Sequence, residues 1–191
     1  LRISDGCAIV NPSAKLYAGL LYIASGAFTA DDSLIDGATA AADGGAVRIA
    51  GGLAMFARCR IARSRAGTGG LARLQGGALH LVSTIVEGSS AVGSAGHLIA
   101  VSSGTLGAGP LLAVTLTEFR QSACDGSLFR QDGAAQILLR EVAFTPLAVL
   151  GLEAYVERVA CEATEGPLGE ARLDAAPPAR ALGGEAGAAP R

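Results

Sequence analysis

Apolar residues along this chain fall at alternating positions in short runs, and the runs recur. Leu21 and Ile23, Val47 and Ile49, Ala72 and Leu74, and Leu98 and Ala100 occupy one place in a repeating unit. A second run follows in each unit, at Phe28 and Ala30, Ala54 and Phe56, and Leu79 and Leu81. A third apolar position comes at Ile35, Ile61 and Ile85. Alternation of period two predicts strands with one face buried. Glycines punctuate the runs. Gly19, Gly45, Gly70 and Gly96 are spaced 26, 25 and 26, and Gly26, Gly52, Gly77 and Gly104 are spaced 26, 25 and 27. A glycine at such a corner permits positive φ and close backbone approach, as a tight turn between strands needs.

The unit is clearest over residues 44–67 and 69–91, and its register extends in both directions. Residues 1–14 match the back half of a unit, with Ile9 26 residues before Ile35. After an insertion around Gly107 to Leu111, residues 112–123 match with Val114 and Phe119, and 132–144 match with Ile137 and Val142. About six copies therefore cover residues 1–150. A unit of two or three short strands cannot enclose a core alone. Stacking lets each strand pair in parallel with its counterpart about 4.8 Å away. Equivalent side chains then form interior ladders, such as Ile9, Ile35, Ile61, Ile85, Phe119 and Val142. The expected fold is all-β: a parallel β-helix of about five to six coils. A small-residue position precedes that ladder at Cys7, Ser33, Cys59, Ser83 and Thr117, where buried free thiols would serve as packing groups. Residues 151–163 form either a degenerate coil or a cap. Residues 164–191, rich in Ala, Gly, Pro and Glu, are expected to be a disordered tail.

The repeat GG-A-[VIL]-x-I-x-GG-x-x-x-[FIL]-x-x-[SC]-x-I-x-x-S-x-A-G resembles the right-handed parallel β-helix of the pectate-lyase-like superfamily. It is most similar to the GGAI-type repeats of polymorphic outer-membrane, autotransporter-like surface proteins. The resemblance implies a right-handed solenoid in a surface or secreted protein. Its coils would be structural or adhesive, contacting glycans or proteins along a lateral face without catalysis. The same superfamily holds polysaccharide lyases and glycoside hydrolases, which is the alternative. This chain departs from the repeat in having no asparagine ladder: the equivalent turn positions read Asp5, Asp32, Arg58, Leu116 and Leu139.

Composition sharpens this picture. The 191 residues are 50% hydrophobic but only 4% aromatic, so a core must be filled by Leu, Ile, Val and Ala. The net charge of −2 gives no whole-chain reason to expect nucleic acid or an anionic membrane as partner. The chain opens at Leu1 without an initiator Met and reads as a fragment of a longer protein. Cys7, Cys59, Cys124 and Cys161 are too dispersed for zinc spacing, so no metal is expected from them. Residues 96–116 are apolar, but their glycines, proline and agreement with the repeat argue against a membrane span.

Two groups carry candidate chemistry. Asp31 and Asp32, with Arg58 one coil later, are the only catalytic set the alternative offers. In carbohydrate-active β-helices such carboxylates bind calcium or act as acid and base. Alignment of Asp32 with Arg58 equally predicts a cross-coil ion pair. The NTD, DD, GHG and RIK series of polygalacturonases is absent: DD stands alone, Gly96–His97 lacks its second glycine, and Arg48–Ile49 is followed by Ala50. The second group is Arg48, Arg58, Arg60, Arg63, Arg65 and Arg73, a local +6 with no acid between residues 44 and 86. It predicts either a solvated face or a contact surface for an acidic polysaccharide or protein. No aromatics interleave to stack nucleic-acid bases. His80 is expected to point outward, and an ice-binding array is excluded because its column reads Arg2, Thr29, Met55 and His80.

Overall fold

The computed structural model describes residues 1–92, 97–102, 109–120, 123–124, 129–132, 134–145 and 170–173. The expected degenerate coil or cap at 151–163 lies outside these residues. So does the tail at 164–191, apart from Glu170–Leu173, which pairs antiparallel with Gln136–Arg140.

The repeat folds as a parallel β-solenoid of about five turns, each turn giving one strand to each of four sheets. The first sheet stacks Arg2–Ile3, Ala27–Asp31, Leu53–Ala57, Ala78–Val82, Leu111–Thr115 and Gln136–Arg140. The second stacks Ala8–Val10, Leu34–Asp36, Arg60–Ala62, Ile85–Glu87, Glu118–Arg120 and Ala143–Thr145. The third holds Ser13–Ala14, Thr39–Ala40, Arg65–Ala66, Ser90–Ala91 and Ala123–Cys124. The fourth holds Leu21–Ile23, Val47–Ile49, Ala72–Leu74, Ile99–Ser102 and Phe129–Asp132. No helix among the described residues is long and apolar enough to cross a membrane, and residues 99–102 and 111–115 are strands of different sheets.

Inward residues of the five-residue strands are buried and outward ones are not, so the alternation seen in sequence is the alternation of the pleat. The interior is filled by volume exchange between coils. Phe28 stacks on Ala54 while its neighbour Ala30 stacks on Phe56, so each large ring faces a small side chain. The rings of Phe28 and Phe56 meet at 5.5 Å between centroids. Leu79 and Leu81 continue these columns. The tube thus holds a few aromatics without overfilling, at the close packing interiors require.

Several expected ladder positions shift by one or two residues. The interior column runs Ile9, Ile35, Ile61, Val86 and Phe119, with Val86 in place of Ile85, and the register partner of Phe119 in the next coil is Phe144 rather than Val142. The small-residue column takes Thr84 in place of Ser83, since the amide of Ile85 donates to the carbonyl of Cys59 and that of Glu118 to Thr84. In the fourth sheet Ile99 and Val101, not Leu98 and Ala100, stand on Ala72 and Leu74. The cause is coil length. Along the outward column Arg2, Thr29, Met55, His80, Ala113 and Leu138, successive steps are 27, 26, 25, 33 and 25 residues. A strand whose register slips by one exchanges its faces, so a fixed period misplaces every residue after a short coil. The extra residues of the long step lie between Ser102 and Leu111.

The turn from first to second sheet places Asp5 and Gly6, Asp32, Arg58, Ser83, Leu116 and Glu141 in the left-handed region. The first coil has one residue more in this turn, so Asp5 shares the corner with Gly6, and Glu141 replaces the expected Leu139. Just inside the turn, Ser33, Thr84 and Thr117 each donate a hydroxyl to the carbonyl two residues back, at 2.7, 3.1 and 2.9 Å. Cys59 does the same with its thiol at 3.3 Å, is buried, and has its pKa pushed up chiefly by that burial. Cys7, in the first coil, is exposed and so differs from the expected buried thiol.

Candidate functional site

The turn between the first and second sheets is where the candidate carboxylates sit, because Asp31 ends a strand and Asp32 opens the left-handed corner. Arg58 occupies the same corner one coil later and folds back over both. Its Nε donates to Asp32 Oδ1 at 2.9 Å, and its Nη2 donates to Asp31 Oδ2 at 2.6 Å and Asp32 Oδ2 at 3.0 Å. One guanidinium therefore answers two adjacent carboxylates in the fork geometry arginine favours. The hydrogen bond from Arg58 holds the Asp32 carboxyl below its usual range. The Arg58 pKa is raised in turn, first by Asp32. Chemically, this is an ion pair that ties two coils together. Asp31 Oδ2 and both oxygens of Asp32 face this guanidinium, while Asp31 Oδ1 is buried without a hydrogen-bond partner. Among the described residues no group of three His, Cys, Asp or Glu side chains could hold a metal ion.

The six arginines lie on three faces of the solenoid. Arg58, Arg60 and Arg63 line the second sheet and its turns. Arg60 donates from Nη2 to Glu87 Oε2 at 2.6 Å, one coil on. Arg63 donates from Nε to Asp36 Oδ1 at 2.7 Å, one coil back, and its Nη2 closes the same bidentate pair. That hydrogen bond lowers the Asp36 pKa. The acid-free stretch in sequence thus meets acids from the coils before and after it. All three arginine side chains remain more than half exposed, so the face is ionic and open to solvent.

Arg65 stands on the third sheet between Thr39 and Ser90, exposed, beside an open depression of about 400 Å³ floored by Ala14, Ala40 and Ala66. Arg48 and Arg73 belong to the fourth sheet, where they are register partners. Arg48 is largely covered, with its Cζ 3.8 Å from the Tyr17 ring centroid and 5.9 Å from that of Tyr22. Its Nη2 donates to Gln75 Oε1 at 2.7 Å.

Sequence reasoning did not find this tyrosine–arginine cluster. Its signal was present. Tyr22, Arg48 and Arg73 follow one another at the repeat spacing, and so do Tyr17, Asp43 and Thr68. His80 faces outward between Met55 and Ala113, as expected. Comparison of the chain with protein-family models, with curated proteins and with solved structures finds no match.

Proposed function

We propose that this chain is a non-catalytic β-solenoid segment of a surface or secreted protein, related to the pectate-lyase-like right-handed β-helices with GGAI-type repeats. It presents its lateral faces to glycan or protein partners, with the arginine-bearing coils as the contact surface. The observation that carries this reading is the Arg58 fork. The chain's nearest approach to an acid–base pair, Asp31 and Asp32, is engaged with a single guanidinium across coils at 2.6 to 3.0 Å. A carboxylate held this way is kept ionised and oriented toward its partner, where general acid catalysis needs one protonated and aimed at a leaving group. The flat, rigid outer faces of stacked coils, with ionic side chains repeating at the coil spacing, suit recognition of an extended polymer.

The test pairs a glycan-array screen of the chain with an assay for product release from acidic polysaccharides in the presence of calcium. Retention of glycans without release of reducing or unsaturated ends is the expected result. Product release abolished by Asp31→Asn and Asp32→Asn would establish the enzymatic alternative instead. Absence of retention on every glycan, together with no protein partner in pull-down, would remove the contact reading.

A further inference from the structure

Three Asp–Gly links lie wholly within the described residues, Asp5–Gly6, Asp36–Gly37 and Asp43–Gly44, and each falls at a corner between strands. Such a link is prone to rearrange, because glycine has no side chain to crowd the amide nitrogen that attacks the aspartate carboxyl. The nitrogen loses its proton and bonds to Cγ, the Cγ–OH bond breaks, and water leaves, closing a succinimide ring. Water then adds to the former main-chain carbonyl carbon and breaks its bond to the nitrogen, which takes back a proton. The chain now runs through Cβ and Cγ as isoaspartate, longer by one backbone atom and unchanged in mass. The site must therefore offer a carboxyl free to become neutral and to swing, an amide able to leave its acceptor, and room for the ring.

The amides of Gly6, Gly37 and Gly44 all donate to the next coil, to the carbonyls of Asp32, Ala62 and Thr68 at 3.0, 2.9 and 2.9 Å. The carboxyls separate the three links where the amides do not. Arg63 grips both oxygens of Asp36 and holds the group ionised and oriented. Asp43 is partly buried, 3.6 Å from the Arg48 guanidinium. Asp5 is exposed, and its carboxylate accepts from the Ser4 hydroxyl at 2.8 Å without any cation beside it. Space divides them in the same way. A Cβ on Gly37 would meet the Asn11 side chain and one on Gly44 the Val47 carbonyl, whereas nothing lies within 4 Å of that position on Gly6. The strands either side of Asp5, Arg2–Ile3 and Ala8–Val10, pair on one side only among the described residues. Segments with fewer hydrogen-bonded neighbours open most readily, which releases the Gly6 amide. The turn also has one residue more than the turn of the next coil, so it can take up an extra backbone atom.

We propose that Asp5–Gly6 is a site of covalent modification, where the folded chain forms isoaspartate, and that the fold spares Asp36–Gly37 and Asp43–Gly44. The enzyme class that would act on the product is an isoaspartyl methyltransferase. It moves a methyl group from S-adenosylmethionine to the freed α-carboxylate and leaves S-adenosylhomocysteine. The site is independent of any contact made by the lateral faces.

The full chain is aged for several weeks in warm, mildly acidic buffer, folded and, in parallel, unfolded in guanidinium chloride. Trypsin places Asp5 in the peptide Ile3–Lys15 and the other two aspartates in Leu16–Arg48. In the first peptide Asn11 does not interfere, because Pro12 after it has no amide proton to lose. Electron-transfer fragmentation locates each isoaspartate, and methyl uptake with an isoaspartyl methyltransferase counts them. In the folded chain Asp5 should convert about tenfold faster, or more, than either other link, a ratio that a small difference in local opening already gives. The unfolded chain should convert at all three. Arg63→Gln, checked for native circular dichroism, should bring Asp36 into reaction and leave the rate at Asp5 unchanged. Equal conversion at the three links of the folded chain, faster conversion at Asp36 or Asp43, or a folded Asp5 that does not convert would overturn the proposal. Conversion confined to Asp5 in the unfolded chain as well would trace the selectivity to local sequence and overturn the protection assigned to the fold.

Discussion

Replacing Gly45 by alanine tests whether the coils are stacked as tightly as the fold requires. Gly45 lies at the corner between the third and fourth sheets, where the backbone of the next coil passes over it. A Cβ there would sit 2.0 Å from the carbonyl oxygen of Gly70, 2.7 Å from the amide nitrogen of Arg65 and 2.9 Å from its carbonyl carbon. Carbon–oxygen contacts become comfortable only at about 3.3 Å, so the two coils must part by more than 1 Å. The obstacle is backbone, which cannot swing aside as a side chain can. Two hydrogen bonds span this junction, Gly45 N to Gly69 O at 3.0 Å and Ala46 N to Leu71 O at 2.9 Å, and both would be stretched. Overpacking costs about 1–3 kcal/mol and each weakened bond about 1 kcal/mol, against a gain of about 0.4–1 kcal/mol from a stiffer unfolded chain. The net loss is about 2–4 kcal/mol, or a fall in Tm of about 5–15 °C for a chain of this size.

Gly26→Ala is the matched comparison. Gly26 has a φ of +82°, yet nothing stands within 4 Å of its would-be Cβ. Its penalty is purely conformational, about 1–2 kcal/mol. Urea unfolding followed by circular dichroism measures both midpoints. Gly45→Ala should be the more damaging of the two despite its ordinary φ. Equal damage, or greater damage in Gly26→Ala, would refute the argument that coil-to-coil contact governs these corners.

Ile61→Ala removes a fully buried side chain from the middle of the interior column and should cost about 2–5 kcal/mol, read from the same urea midpoints. A cost below about 1 kcal/mol would mean that the column is not packed. Asp32 and Asp36 have folded pKa values held below their usual range by Arg58 and Arg63, so their contribution is complete above about pH 4 and is lost as pH falls through the lowered values. Stability of the native chain should therefore fall on acidification below pH 4, and less steeply in Arg58→Gln/Arg63→Gln; identical pH slopes would contradict this. With Cys124 and Cys161 changed to Ser, a thiol reagent at neutral pH should label exposed Cys7 and spare buried Cys59 until the chain is unfolded. Labelling of Cys59 at the rate of Cys7 in the folded chain would contradict its placement.

The parallel solenoid was legible because its two signals reinforce each other. Alternation marks strands such as Leu53–Ala57, and the recurrence of that alternation marks stacking. The Asp32–Arg58 pair was legible for the same reason, since charge complementarity at one repeat spacing implies contact. Ile85 and Val142 were misplaced because coils of unequal length break a fixed period, and side chains one residue apart point to opposite faces. In Ile85–Val86 both residues are apolar, so hydrophobicity alone could not choose between them. The arginines misled differently. Counted along the chain, Arg48 to Arg73 form one basic stretch, but four sheets per coil distribute them over three faces and supply acids from neighbouring coils. Asp36 and Glu87 lie outside that stretch in sequence and against it in space.

Coil stacking itself is tested most directly by distances along one outward column. Spin labels at Arg2→Cys with Ala113→Cys, and at Arg2→Cys with Leu138→Cys, are separated by four and five coil steps in the first sheet. The native cysteines are changed to Ser for this purpose. At about 4.8 Å per step the backbone separations are about 19 and 24 Å, and the difference between the two pairs is about 5 Å. Pulsed electron–electron resonance should return narrow distributions that differ by this one coil spacing, although the labelled residues lie more than a hundred positions apart in sequence. Broad distributions, or a second distance equal to or shorter than the first, would contradict a parallel stack in which each turn rises by one strand.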